Sequence, residues 1–274
     1  MGPVIRHFLM KLEHHEILAT IELRNTMKGG SKMDAPNEFK EFHNLMQRLT
    51  PRYGAALVFD DFLDYAIASF SIDKTVTWEK SYNEAEMQVF WLMYLEFIKV
   101  MDQKCITDTD WFDFFGIYYE AEISSKSGRQ GAGQFFTPAT ICDLMTAMNT
   151  GTKNKGLLIN DPSCGSGRCL MSFHVKNLGN YYVAQDIDMT CAKMTICNFL
   201  VHGLQADVIW GNTLTLEYFD AWKVNEVLHV NSGIPHIRKF NSKELKQLKN
   251  STGIIKEETK PVTLMDFSAA VVGK

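Results

Sequence analysis

The sequence predicts an α/β protein in which a helical region precedes a parallel sheet, and two patterns carry that reading. Residues 35–127 repeat apolar side chains at helical spacing, whereas beyond them short apolar runs alternate with helical segments, as βαβ units require. A third observation bounds the answer. Of 274 residues, 46% are apolar and 22% charged, the composition of a globular chain able to bury a substantial core, and one that excludes disordered or collagen-like classes. The formal net charge of −4 disfavours a free-standing, strongly basic nucleic-acid binder, while a local basic patch or a partner subunit would still reach phosphate.

Taken in order, residues 1–33 read as an extension and linker. Ile5, Leu9, Leu12, Ile17 and Leu18 outline a short amphipathic helix, Lys28-Gly29-Gly30-Ser31-Lys32 breaks it, and Met33 offers an alternative start. Arg6, His7, Lys11, Glu13 and Glu16 interrupt the N-terminus, unlike a signal peptide, and no run of eighteen apolar residues exists. Cys105, Cys142, Cys164, Cys169, Cys191 and Cys197 show no CxxC or Cys/His ligand spacing, so reduced thiols, a cytoplasmic location and no metal are expected. His14 and His15 read as surface residues. In a helical domain at 34–127, Leu57, Val58, Phe59, Phe62, Leu63, Tyr65, Ala66, Ile67 and Phe70 fill one wide face. Asp60, Asp61 and Asp64 share the other, read as a solvated stripe. Residues 84–101 are apolar nearly all round and predict a buried helix. The small, polar, glycine-bearing segment 122–133 reads as a loop and places the second domain at 128–274.

In that second domain, 156–160, 181–185, 206–210 and 226–230 read as strands. Helical patterns at 168–178 and 191–202 and a shorter turn near Tyr218 separate them, and a parallel sheet so formed binds ligands at the carboxyl ends of its strands. The most informative stretch is Leu157-Leu158-Ile159-Asn160-Asp161-Pro162-Ser163-Cys164-Gly165-Ser166-Gly167-Arg168. There a strand runs through a proline turn and a glycine loop into a helix. Gly165 and Gly167 let a ligand approach the backbone, the helix N-terminus presents free N–H groups, and Asp161 is placed to pair with an ammonium. The loop lacks the lysine of a P-loop, and the GxGxxG dinucleotide pattern does not fit. Upstream stands Gly133-Gln134-Phe135-Phe136-Thr137-Pro138. Downstream, a second strand ends in Gln185-Asp186-Ile187-Asp188, where an acid would hold a ribose hydroxyl pair, and a third ends in Trp210-Gly211-Asn212-Thr213-Leu214.

GQFFTP, DPSCGSG, the second-strand acid and GNTL together resemble the S-adenosylmethionine motifs of adenine-N6 DNA methyltransferases, above all the modification (M) subunit of type I restriction-modification systems. The resemblance covers residues 111–235, including the lead-in Trp111-Phe112-Asp113-Phe114-Phe115-Gly116-Ile117-Tyr118-Tyr119-Glu120. It implies a Rossmann-like S-adenosylmethionine-dependent methyltransferase domain preceded by an all-helical domain. Phe135, Phe136, Thr137 and Pro138 would border the methionine end of the cofactor, with Asp161 near its amino group. Gly165, Ser166 and Gly167 would line its backbone-facing side, Asp186 would hold the ribose and Ile187 would pack on the adenine. Asn212 stands where the family usually has an aspartate and keeps an acceptor oxygen.

The family's Asn/Asp-Pro-Pro-aromatic tetrapeptide aligns with Asn231-Ser232-Gly233-Ile234, which makes Asn231 and Ile234 the candidate catalytic residues. Ser-Gly loosens the carbonyl geometry that two prolines would set, and Ile234 offers no π-stacking to a flipped base. Only 261–267 offers a further strand, so an abbreviated sheet is expected. Arg238, Lys239, Lys243, Lys246, Lys249 and Lys256 form a basic stretch, read equally as a phosphate contact or a solvated face. The implied activity is adenine-N6 methylation of DNA, with a separate specificity subunit as partner. Alternatives are a non-catalytic S-adenosylmethionine-binding or assembly subunit, and methylation of RNA or protein.

Overall fold

Local signals set the helices of the N-terminal half. The computed structural model describes residues 33–71, 74–124, 136–149, 155–228 and 233–248. The expectations for 1–32, Phe135, Asn231, Lys249, Lys256 and 261–267 lie outside the described residues. After a 3₁₀ turn at Asn37–Phe39, helix α1 (Lys40–Tyr53) ends at Gly54, whose φ of +85° suits glycine and starts α2 (Ala55–Ser69). Helix α3 (Glu84–Lys104) opens with a capping box: Asn83 Oδ1 accepts from Glu86 N at 3.0 Å, and Glu86 Oε2 accepts from Asn83 N at 2.9 Å. Helix α4 (Phe114–Tyr118) runs into a π-helical turn, Tyr119–Ser124.

Two expectations change here. Residues 122–124 are helical rather than loop, because the Glu122 carboxylate turns back to accept from the backbone N–H groups of Asp34 and Ala35 (2.5 and 2.7 Å). The aspartate stripe of α2 is not a bare solvated face: its carboxylates are paired, and Asp61 is buried. Lys193 reaches Asp60 and Asp64 at 2.9 and 2.8 Å, while the buried Asp61 takes Lys80 at 2.8 Å and the Tyr82 hydroxyl at 2.6 Å. A lysine 133 residues away in sequence is invisible to local periodicity.

Among the described residues, the sheet holds five strands in the order β1 (Leu158–Asp161), β2 (Tyr181–Asp186), β3 (Ala206–Asn212), β4 (Glu217–Val224), β5 (Ile237–Lys239). The first three are parallel, as expected, and β4 and β5 are antiparallel additions. The fourth strand is therefore not 226–230 but 217–224, where a turn near Tyr218 was expected. Residues 213–216 are too few for a parallel crossover, so the chain reverses into a hairpin. Residues 226–228 form a turn, pinned by Asn225, whose amide donates to the Phe199 and Leu204 carbonyls (3.0 and 3.1 Å) at the end of the preceding helix.

One apolar core joins both halves. Phe39, Phe42, Phe59, Phe62, Phe97, Phe114, Phe115 and Tyr118 are fully buried, with Phe97 and Phe115 ring centroids 4.7 Å apart. Packing continues through Met194, Ile196 and Leu200 to Tyr182, Ala184 and Val208 in the sheet. Ile237 N donates to Phe70 O at 3.1 Å, bonding the end of α2 to β5. Among the described residues, no helix is long and apolar enough to cross a membrane.

Candidate functional site

Strand register brings the predicted carboxyl-end residues together. Asp161 pairs with Ala184 and Asp186 pairs with Trp210, so β1, β2 and β3 end one beyond the other along the same rim of the sheet. From β1 the chain turns through Pro162–Gly167 into helix α6 (Arg168–Lys176), which packs on α5 (Ala139–Asn149), and helix α7 (Met189–His202) follows β2. A cavity of about 830 Å³ opens there. Phe136, Thr137, Asp161, Gly165, Ser166, Asp186 and Ile187 line it, which unites seven of the predicted cofactor residues.

The glycine loop is braced at nearly every residue. Gly165 and Gly167 adopt φ of +56° and +87°. A Cβ on Gly165 would stand 3.0 Å from the Phe136 ring, and one on Gly167 would lie 2.6 Å from Phe199. Gly165 N donates to Asp186 Oδ2 at 2.9 Å, Asp186 Oδ1 accepts from Asp188 N at 2.9 Å, and Cys164 N donates to Gln185 O at 2.9 Å. The Thr195 hydroxyl holds Gly165 O at 2.9 Å and the Asn198 amide holds Ser166 O at 2.9 Å. Each Asp186 oxygen keeps lone pairs beyond these backbone donors. Burial pushes the Asp161 and Asp186 carboxyls above the ordinary carboxylate range, against which the backbone donors at each pull down.

Ser166 donates its hydroxyl to Asp113 Oδ2 at 2.6 Å. Ile187 stands at the rim, 62% exposed, with an open apolar face. Gly167, Pro138 and Asn212 are not among the cavity-lining residues. Asn212 Oδ1 accepts from Leu214 N and Thr215 N (2.9 and 3.2 Å), closing the turn after β3.

Of the two candidate catalytic residues, Ile234 is described and is not among those that line the cavity. Because β4 runs back along β3, with Ala206 opposite Val224, the connection to β5 leaves from the amino ends of β1–β3. Ile234 lies in that connection, beside His236. Seven residues of β3 separate the two ends by about 20 Å at 3.3 Å per residue, far beyond the separation at which groups react. The expectation for Ile234 is corrected accordingly, and its cause is the misplaced fourth strand. In the basic stretch, Arg238 is held by Glu226 and Glu244 at 2.8 Å each, and Lys239 by Asp220 at 2.7 Å, so these two cations are already paired.

Sequence reasoning missed Asp113, Arg168 and Glu120. Asp113 is buried and takes Gly116 N and the Asn198 amide on Oδ1 (2.8 Å each), with Ser166 and the Arg168 Nε–H on Oδ2. A signal was present. An acid amid Trp111, Phe112, Phe114 and Phe115 must be buried, and a buried charge demands partners. Cys142 and Cys169 also meet in the cavity wall, Sγ to Sγ 3.5 Å, and the Cys142 thiol draws the Cys169 thiol down to about 7.

A glycine loop at the end of β1 backed by an acid at the end of β2 marks an α/β protein with a cavity at the carboxyl ends of its strands, and comparison with known proteins supplies the class. The family described as N-6 DNA Methylase matches residues 111–266, more than half of the chain, and the chain belongs to that family. In particular, it is similar to the type I restriction enzyme MpnII methylase subunit of Mycoplasma pneumoniae (strain ATCC 29342 / M129 / Subtype 1), 31% identical over 125 residues. That match covers 41% of this chain and 23% of the relative. No solved structure matches.

Proposed function

We propose that this chain binds S-adenosylmethionine in the cavity at the carboxyl ends of β1 and β2 and serves adenine-N6 methylation of DNA. The observation that carries the reading is the glycine loop fastened to Asp186, with Asp161 beside it in the same cavity. The donor set suits this cofactor: carboxylates for an ammonium and a hydroxyl pair, bare backbone between them, and the apolar Ile187 at the rim. When bound, the cofactor supplies a methyl group activated by its sulfonium. The residues of this chain orient it. On this reading the chain has a Rossmann-like methyltransferase region at 128–274 and an all-helical region at 34–127, sharing a core, and works in the cytoplasm.

Target choice comes from a partner specificity subunit, an inference supported by the likeness to a type I methylase subunit. The groups that hold the target base come from outside the described residues or from that partner, since Ile234 stands at the opposite end of the sheet. Calorimetric titration of the purified chain with S-adenosylmethionine tests the core of the proposal. We expect binding by the wild type and at least tenfold weaker binding by Asp186→Ala, because charge-assisted hydrogen bonds are worth about 1.5–3 kcal/mol and 1.4 kcal/mol is tenfold. A folded wild-type sample that does not bind overturns the reading. Transfer of labelled methyl to adenine in DNA, with and without candidate partners, then tests the activity.

A further inference from the structure

Arg168 is an unusual residue for its place. It opens the first turn of α6, where the helix dipole disfavours a cation, and it is only 7% exposed while lining the cavity. Its charge is met from behind. Nε–H donates to Asp113 Oδ2, and an Nη–H donates to Glu120 Oε2 at 2.6 Å. Burial works against that charge, and the two carboxylates outweigh it, holding the guanidinium above its ordinary pKa. The closeness is provided for in the backbone: a Cβ on Gly116 would run into the Asp113 carboxylate and into Ser166 Oγ.

The front of the same guanidinium faces the segment ahead of α5. Its other Nη–H reaches Thr137 O at 3.4 Å, and its Cζ lies 5.3 Å from the centroid of the Phe136 ring, which itself packs over Gly165. One planar cation thus ties three pieces of chain: the 113–120 segment through Asp113 and Glu120, the glycine loop through Ser166 on the shared Asp113 carboxylate, and the Phe136–Thr137 segment. A lysine carries the charge but not the fork that makes these contacts at once.

We infer that Arg168, held by Asp113 and Glu120, is a positioning residue that sets the Phe136–Thr137 wall against the glycine loop and so shapes the amino-acid end of the cofactor cavity. The inference rests on the reading of this cavity as an S-adenosylmethionine site. It assigns Arg168 to the amino-acid end of that ligand, since its partners are Asp113, Glu120, Thr137 and the Phe136 ring, whereas the ribose is assigned to Asp186 at the end of β2.

That one-endedness makes the inference testable. Binding of two probes to the full chain is compared: S-adenosylmethionine, and 5′-methylthioadenosine, which keeps the adenosine end and lacks the amino acid. For Arg168→Lys we expect S-adenosylmethionine affinity to fall about tenfold, the worth of one charge-assisted hydrogen bond, and 5′-methylthioadenosine affinity to stay within about twofold. Phe136→Leu, which removes the ring and keeps the bulk, gives the same selective pattern at smaller size and serves if Arg168→Lys does not fold. Equal losses for both probes, or no loss for either, overturn the positioning role. Failure of the wild type to bind either probe overturns the cofactor reading instead, so the two failures are distinguishable.

Discussion

On the proposed reading, Asp161 and Asp186 make ligand binding in the cavity depend on pH. Burial raises both carboxyls, so each takes up its proton at a higher pH than an exposed aspartate, whose value is near 3.9. The ionised carboxylate is the form that accepts from an ammonium or a hydroxyl. As pH falls through the raised values, the acceptors are lost and S-adenosylmethionine affinity drops, starting above the ordinary carboxylate range. Titrations from about pH 7.5 downward check this, and Asp161→Asn should bind more weakly at neutral pH with a flatter pH profile. A profile unchanged by that substitution would remove Asp161 from the ligand set. These two residues were legible in the sequence because each ends an apolar strand run at a turn. Asp113 and Arg168 were not. Asp113 meets Ser166 and Arg168 across 53 and 55 residues of chain, and no local spacing signals a contact of that range.

Among elements, the glycine loop is the part whose backbone conformation does most for the site. Gly167 combines a φ of +87° with an approach to Phe199 that leaves no room for a Cβ. Gly167→Ala is expected to destabilise the protein by about 1–3 kcal/mol and to weaken cofactor binding, through strain plus displacement of α7. Gly167→Ala in a Phe199→Leu background provides the control, because the strain at φ +87° stays while the ring that the Cβ would meet at 2.6 Å is gone. Chemical denaturation of the two variants separates strain from crowding, and equal losses would mean that the Phe199 contact costs nothing. The β1, β2 and β3 runs were readable from apolar character followed by turn residues. The β4 strand was not, because Glu217, Tyr218, Phe219 and Asp220 mix polar and aromatic residues as a half-exposed strand does, while 226–230 carried the apolar residues that imitate a buried one.

At the scale of the whole molecule, the helical region and the sheet share one core, and the two are expected to unfold together. Phe115, fully buried between α3 and the segment that carries Asp113, is the place to test this. Phe115→Ala is expected to cost about 3–5 kcal/mol through lost burial and a cavity. Far-ultraviolet circular dichroism and tryptophan fluorescence should give coincident denaturation curves in wild type and variant, with Trp78, Trp91 and Trp111 reporting on the helical region and Trp210 and Trp222 on the sheet. Two separated transitions would show that the shared packing does not couple them. The amino-acid sequence by itself determined the helical face of α2, the buried character of α3, the three parallel strands, the glycine loop and the family resemblance, because each is written in spacing over a few neighbouring residues. Only the tertiary structure decided that the aspartates of α2 meet Lys193, that Arg168 is held from behind by Asp113, and that Ile234 lies at the far end of the sheet from the cavity. Those outcomes depend on strand direction and on contacts between residues far apart in the chain, and the hairpin that reverses β4 carries Ile234 and His236 to the opposite end of the sheet.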